Sequence, residues 1–197
     1  LNEKILDRLV STLSVLPGIG KKSAYRIGFH ILRMDEASFQ TFLTNLREFK
    51  ESIRFCKICG SLTEFDVCEI CSSPKRSSSI LCVVERPEDV LFIENTGEFT
   101  GKYHVLGGVI SPIDGVGPDK LRFRELLERL KAEPIEEILV ATNPTLEGDA
   151  TANYIVSLLE GLQIKITRIA HGVTVGSTLE YVDRYTLAKA IRSRLVL

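Results

Sequence analysis

The sequence predicts an α+β chain in four successive parts. A helical N-terminal region leads into a four-cysteine module, then an α/β domain on a mostly parallel sheet, then a helical C-terminal tail. Three observations predict it. The first fifty residues place apolar side chains at helical spacing. Cys56, Cys59, Cys68 and Cys71 fall as two C-x2-C pairs. From residue 80 onward, short apolar runs alternate with amphipathic ones, the pattern of strands joined by crossover helices.

Residues 4–16, "KILDRLVSTLSVL", set Ile5, Leu9, Leu13 and Leu16 along one helical face before a break at Pro17. A second helical pattern runs to about Met34, and an amphipathic helix fits 36–54. The cysteine cluster occupies 56–71, and "SSPKRSSS" at 72–79 reads as a polar linker. Then "ILCVVE" reads as a buried strand, "PEDVLFIEN" as a helix and "YHVLGG" as a second strand. "GPDKLRFRELLERLK" reads as one strong helix with Pro118 near its start. "EEILVAT", "GDATANYIVSLLEGL" and "IKITRIA" continue as strand, helix and strand, and the tail ends in a helix. Such alternation implies a sheet covered on both faces. The expected divisions are 1–54, 55–79, 80–172 and 173–197, with no internal repeat.

With 197 residues, 44% of them apolar, the chain can bury a core of ordinary size. No apolar run approaches the roughly 20 residues that span a bilayer. The start has neither a long apolar segment nor a small-residue cleavage site, so the expectation is a soluble, cytoplasmic protein with no membrane partner. The chain opens at Leu1 rather than Met, which leads us to expect a few further residues upstream. Net charge is −1, yet it is unevenly spread. Residues 1–54 hold nine Lys/Arg against six Asp/Glu, net +3, whereas 80–172 hold nine against fifteen, net −6. Residues 55–79 balance, and 173–197 carry +2. Phosphate affinity follows local basic patches rather than the sum, so the basic ends are candidates for a phosphate surface.

"LPGIGKKSAYRI" joins the first two helices through Pro17, Gly18, Ile19 and Gly20. Proline sets φ entering the turn, and two glycines permit φ > 0 and close backbone approach. Ile19 is expected to pin the turn to the core. The next helix then begins with its free N–H groups pointing outward, a cradle for phosphate. Lys21 and Lys22 sit where positive charge opposes the helix dipole, at about 0.3–1 kcal/mol each. A bound phosphate would turn that penalty into attraction, and Arg26 lies four residues beyond Lys22 on the same face. A tight turn with two solvated lysines is the plainer alternative. The pattern resembles the helix-hairpin-helix of DNA-binding proteins, in which Gly18, Gly20, Lys21, Lys22 and Arg26 would contact backbone phosphates without reading bases.

Cys56, Cys59, Cys68 and Cys71 form C-x2-C-x8-C-x2-C, spacing suited to tetrahedral Zn2+. The eight residues "GSLTEFDV" can fold into a short hairpin that brings the pairs together. Disulfides and a redox pair are the alternatives; a reducing cytosol and the doubled motif favour zinc. Four protein ligands close the site, which makes it structural. Cys82, inside an apolar strand, is expected to be a small core residue.

"LCVVERPEDV" ends its strand at Glu85, and "ATNPTLEGDATA" follows a later strand. Together they resemble a Toprim domain, in which an acid after the first strand faces a D-x-D-x-E-G cluster. In catalytic members those acids hold Mg2+. Here Glu85, Glu147 and Asp149 persist, while Asn143 and Thr145 stand in place of the two aspartates. Magnesium relies on carboxylate ligation, and the loss leaves no two-metal pair to clamp a phosphoryl transition state. Acids at a helix N-terminus are also explained by the helix dipole alone.

In order, these three motifs resemble the RecR family of bacterial recombination mediators, as does the closing "GSTLEYVDRYTLAKAI". The likeness covers essentially the whole chain; Thr174 departs from it where a proline is expected. The resemblance implies a non-catalytic DNA clamp in gap repair, acting with RecO and RecF to load RecA. It implies a homo-tetrameric ring joined through the N-terminal helices and the C-terminal region. Lys21, Lys22 and Arg26 would line its hole, and a degenerate acidic Toprim face with Glu85, Asn143, Glu147 and Asp149 would dock protein, notably RecO. One structural Zn2+ per chain is implied, as is nucleoid association. Two other readings compete: a metal-dependent topoisomerase- or primase-like enzyme, and a zinc-stabilised interaction module without DNA contact. His30, His104 and His171 have no partner at motif spacing and are expected to be structural or surface residues.

Overall fold

A computed structural model describes residues 4–170 and 172–194. The expectations for Leu1 and His171 lie outside the described residues. The chain divides into two compact units, Leu1–Ile53 and Arg54–Leu197.

The first unit holds α1 (Lys4–Leu13), α2 (Lys21–Leu32) and α3 (Glu36–Ser52). Helix α1 ends three residues before the expected position. Leu16 precedes a proline and is biased away from helical ψ, and Val15 and Leu16 instead donate to Thr12 and Leu13 in tighter turns of 3.4 and 3.1 Å. Its buried face differs as well: Val10 is buried and Ile5 is 72% exposed. Where α1 meets α2, Gly28 is buried and a Cβ there would lie 3.3 Å from Leu9 Cδ2, so the missing side chain sets the approach. Asp35 caps α3 by accepting from the Ser38 amide at 2.9 Å.

In the second unit, β1 (Arg54–Phe55) pairs antiparallel with β2 (Leu62–Thr63), and α4 (Glu69–Ser72) closes the cysteine module. The hairpin therefore wraps the first C-x2-C pair, not the expected stretch between the pairs. Four parallel strands follow: β3 (Ile80–Val84), β4 (Lys102–Val105), β5 (Glu137–Ala141) and β6 (Lys165–Arg168), in the order β4-β3-β5-β6. Alternation along β3 divides the core. Leu81 and Val83 face α6 (Phe123–Ala132) and α7 (Leu146–Leu158), packing on Leu126, Ile138 and Ile155; Cys82 and Val84 join Val90 of α5 (Pro87–Glu94) and Tyr103. The buried Cys82 fits the expected core role.

Two expectations fail locally. The helix expected over 117–131 is a 3-10 turn at Pro118–Lys120, a break at Leu121 and Arg122, then α6. The break exists because the Arg122 amide donates to Leu106 O at 3.0 Å, extending the end of β4, while Leu121 is buried. Nor is 72–79 a free linker. The Ser77 amide donates to Thr100 O, Ser79 O accepts from Glu136 and Glu137, and Arg76 binds Glu94 and Phe99 O. Tyr103 adds its hydroxyl to Glu94 at 2.6 Å. The tail carries α8 (Arg184–Arg192), capped by Asp183.

Candidate functional site

The cysteine module is the most convergent chemistry in the chain. The Sγ atoms of Cys56, Cys59, Cys68 and Cys71 all lie within 4.8 Å of one another. A tetrahedron with zinc–sulfur bonds of ~2.3 Å spaces its sulfurs about 3.8 Å apart, so the four fit one zinc ion. Backbone N–H groups aim at the sulfurs: Cys68 N lies 3.3 Å from Cys56 Sγ, and Cys71 N lies 3.4 Å from Cys68 Sγ. Such bonds favour thiolate. The bond between Cys59 and Cys68 raises the first thiol to about 12 and lowers the second. A dication removes that conflict by stabilising all four thiolates.

The module also closes the sheet. Strand β4 is an edge, and its Val105 amide donates to Cys59 O at 2.7 Å. Ile70 of α4 packs against both the cysteines and the β3–α5 core. The Arg122 guanidinium lies over Gly60 and donates to Ile58 O at 3.2 Å; Gly60 has φ +80, and a Cβ there would collide with Arg122 Nη1. Beneath this joint, His104 is fully buried with Nε2 2.8 Å from Arg122 O, and its Nδ1 has no partner among the described residues. Burial lowers its pKa to about 3, so the imidazole is neutral and Nε2–H donates.

In the first unit, Gly18 takes φ +78, which a side chain would resist. Gly20 does not use that freedom. It is the α2 N-cap at φ −79, with no side-chain cap, and a Cβ there would meet nothing within 4 Å. The first-turn amides of α2 therefore have no capping side chain, and no acid occupies that turn. Lys21, Lys22 and Arg26 are all exposed, and Ile19 is half-buried as expected. His30 is exposed on α2 beside Arg26 and Arg33, around a cavity of about 710 Å3.

The acidic cluster lies where β3 and β5 end side by side. Their following helices, α5 and α7, pack on opposite faces, which is the position at which open α/β sheets form crevices. Glu85 is buried and doubly occupied: Oε1 accepts from the Asn143 amide at 2.6 Å and Oε2 from Asn143 Nδ2 at 2.7 Å. Gly148 permits this approach, since a Cβ there would collide with Asn143 O and lie 3.1 Å from Glu85 Oε1. Thr145 caps α7 by accepting from Gly148 N, so the residue in place of the second aspartate has a structural task. Asp149 is bound by Arg168 Nη2 at 2.5 Å and Lys189 Nζ at 3.4 Å. Burial pushes its pKa up, but Arg168 and Lys189 outweigh that and hold it below the usual range. Glu147 is half-buried, and its carboxylate binds no described residue. Among the described residues, the cysteines are the one group of three or more ligating side chains that could hold a metal ion.

Sequence reasoning missed Arg168 and Lys189. They stand 19 and 40 residues from Asp149, at no motif spacing, and only the β5–β6 pairing and the return of the tail bring them in. Arg122 was missed for the same reason, because it reaches back 64 residues to Ile58.

A zinc-stapled finger on the edge of a Toprim-type sheet, preceded by a helical hairpin, defines a modular Toprim-domain protein, and known proteins share each part. The model of the Toprim domain matches residues 79–170. Models of the RecR helix-hairpin-helix, four-cysteine zinc finger and C-terminal parts match residues 6–50, 53–73 and 172–194. Recombination protein RecR of Acidothermus cellulolyticus is 51% identical over 192 residues, covering 98% of this chain and 96% of that protein. Its namesake in Streptomyces avermitilis is 48% identical over 195 residues, covering 99% and 98%. That of Leifsonia xyli is 49% identical over 190 residues, covering 96% of each. The chain belongs to the RecR family. Its four cysteines hold one structural zinc.

Proposed function

We propose that this chain is a non-catalytic DNA clamp and recombination mediator in DNA repair. The observation that carries the reading is the pairing of Asn143 with Glu85, which occupies both oxygens of the acid a catalytic Toprim would turn to magnesium. Asp149 is likewise matched by two cations. Phosphodiester chemistry would require these carboxylates to exchange good partners for a metal, at the cost of leaving Asn143, Arg168 and Lys189 unpaired. The metal-dependent enzyme is therefore the poorer reading, and the chain is proposed to have no catalytic residue.

Work on DNA then falls to the hairpin. The uncapped amides at Gly20, with Lys21, Lys22 and Arg26 exposed beside them, suit backbone phosphates irrespective of base sequence. One hairpin is weak. Four in a homo-tetrameric ring would act together by effective concentration, and the exposed apolar face of α3 (Phe42, Leu43, Leu46, Phe49) suits contact between copies through the N-terminal helices. By family resemblance the acidic face with Glu147 docks RecO, RecF acts alongside, and RecA is loaded at gapped or single-stranded DNA. The functional divisions are 1–54 for DNA, 55–79 for zinc, 80–172 for docking and 173–197 for assembly. We place the protein in the cytoplasm at the nucleoid. No described helix is long and apolar enough to cross a membrane.

The test is DNA affinity across a salt series for the native chain and Lys21→Glu/Lys22→Glu. The reading expects weaker binding and a shallower salt slope, since fewer counterions are released. Unchanged affinity and slope would favour an interaction module without DNA contact.

A further inference from the structure

A second cavity, of about 620 Å3, opens between the zinc finger and the carboxyl end of the sheet. Its walls are apolar: Phe55 and Leu62 of the β1–β2 hairpin on one side, Pro87 and Val105 on the other. The volume is that of a site for a small ligand. Phe55 pairs across the hairpin with Leu62 yet remains 65% exposed, a flat aromatic face left to solvent beside a concave wall. Gly107, at φ +88, lines the opening, and a Cβ there would meet nothing within 4 Å.

Charge on this rim favours an anion. Arg122 is half-buried against the finger and binds only a carbonyl there, that of Ile58; among the described residues it has no carboxylate partner. Lys57 adds a second cation, shared with Asp66 at the exposed surface. The one acid on the rim, Glu88, faces Arg86 at 3.9 Å. An aromatic face with a guanidinium beside it is the arrangement that holds one nucleotide of an unpaired strand, the base stacked and the phosphate on the cation. In a duplex the bases are already stacked and hidden.

We propose that this cavity is a nucleotide-binding site for single-stranded DNA, with Phe55 stacking a base and Arg122 binding the adjoining phosphate. The site rests on the DNA-binding function proposed above but is separate from the hairpin, and it selects unpaired strands where the hairpin does not discriminate.

The chain contains no tryptophan, so Phe55→Trp introduces a single tryptophan at the site, whose emission is excited selectively over the tyrosines. The zinc-loaded full chain carrying Phe55→Trp is titrated with oligothymidylate and with a duplex of equal length, while DNA binding is followed independently by anisotropy of a labelled strand. Saturable quenching by oligothymidylate, absent with duplex and lost on adding Arg122→Gln, is expected. Phe55→Ala is expected to weaken single-strand affinity about tenfold, with duplex affinity and zinc content unchanged. If anisotropy reports binding that Lys21→Glu/Lys22→Glu abolishes while the tryptophan signal stays flat, the cavity proposal is wrong and the hairpin reading stands. If neither signal responds to DNA, both are wrong. Quenching by an acidic peptide but not by oligothymidylate overturns the nucleotide assignment.

Discussion

The zinc finger and the acidic crevice are both built from residues that ligate metals, yet they end in opposite states. In the finger, four sulfurs converge with backbone amides around them, and no described side chain neutralises them as a hydrogen-bonded or ion-paired partner from outside the cysteine set. In the crevice, two of the three carboxylates have been given protein partners, Asn143 for Glu85 and Arg168 with Lys189 for Asp149, and Glu147 is left without one among the described residues. Ligand type alone does not define a metal site. What decides is whether the surrounding donors leave a charge for the metal to satisfy.

The contrast is broken most forcefully by removing zinc. Chelation, or Cys68→Ala, withdraws a cation whose binding stabilises small fingers by about 10–16 kcal/mol in apparent terms. It also frees the edge of β4 at Val105. Thermal unfolding of the second unit is expected to shift down by roughly 10 °C or more, whereas magnesium chelators leave the transition unmoved. Equal effects of the two treatments would erase the distinction.

Acid sharpens the finger side through His104. Its pKa is about 3 in the folded chain against an ordinary 6.5. Above 6.5 both states are neutral at this group and stability does not vary with pH on its account. Between 6.5 and 3 the unfolded chain takes up a proton that the folded one refuses, so stability falls as pH falls, by at most about 1.4 kcal/mol per pH unit. Denaturant titrations of His104→Gln, whose amide can still donate to Arg122 O, are expected to give a flatter acid limb than the native chain.

Asn143→Asp tests the crevice itself by restoring a carboxylate against buried Glu85. Two like charges there should cost about 2–3 kcal/mol at pH 7, and Mg2+ should recover part of the loss. Native-like stability without added metal would mean that the Asn143–Glu85 pair carries little. The smallest effect is expected from Arg168→Gln, at about 0.5–1 kcal/mol for a partly exposed pair. Asp149 has a lowered pKa, so its share of stability is present above about 3.8 and is lost as pH falls through the folded value. Native and variant stabilities should therefore converge in acid.

Where chemistry is local in the chain, the sequence was readable. The cysteine spacing announced the zinc ligands, and the alternation of "ILCVV" and "EILVA" with amphipathic runs announced the parallel sheet. The loss of two aspartates was visible as well. What Asn143 and Thr145 do in their place was not. That Asn143 would turn both its amides onto Glu85 depends on β3 and β5 lying side by side, 58 residues apart. The break at Leu121 and Arg122 escaped for a similar reason: helical periodicity continues straight through it, and only the bond to Leu106 O overrides it. The serine-rich stretch at 72–79 looked like a linker because nothing local showed that Glu94 and Thr100 would hold it.

On the proposed reading this chain holds DNA without cutting it. Supercoiled DNA incubated with the zinc-loaded protein and Mg2+ or Mn2+, with binding monitored in the same samples, tests that most directly. Bound and intact DNA is the expected result. Nicking that is abolished by Glu85→Ala would contradict the account, because it would show the crevice releasing Glu85 from Asn143 to a metal.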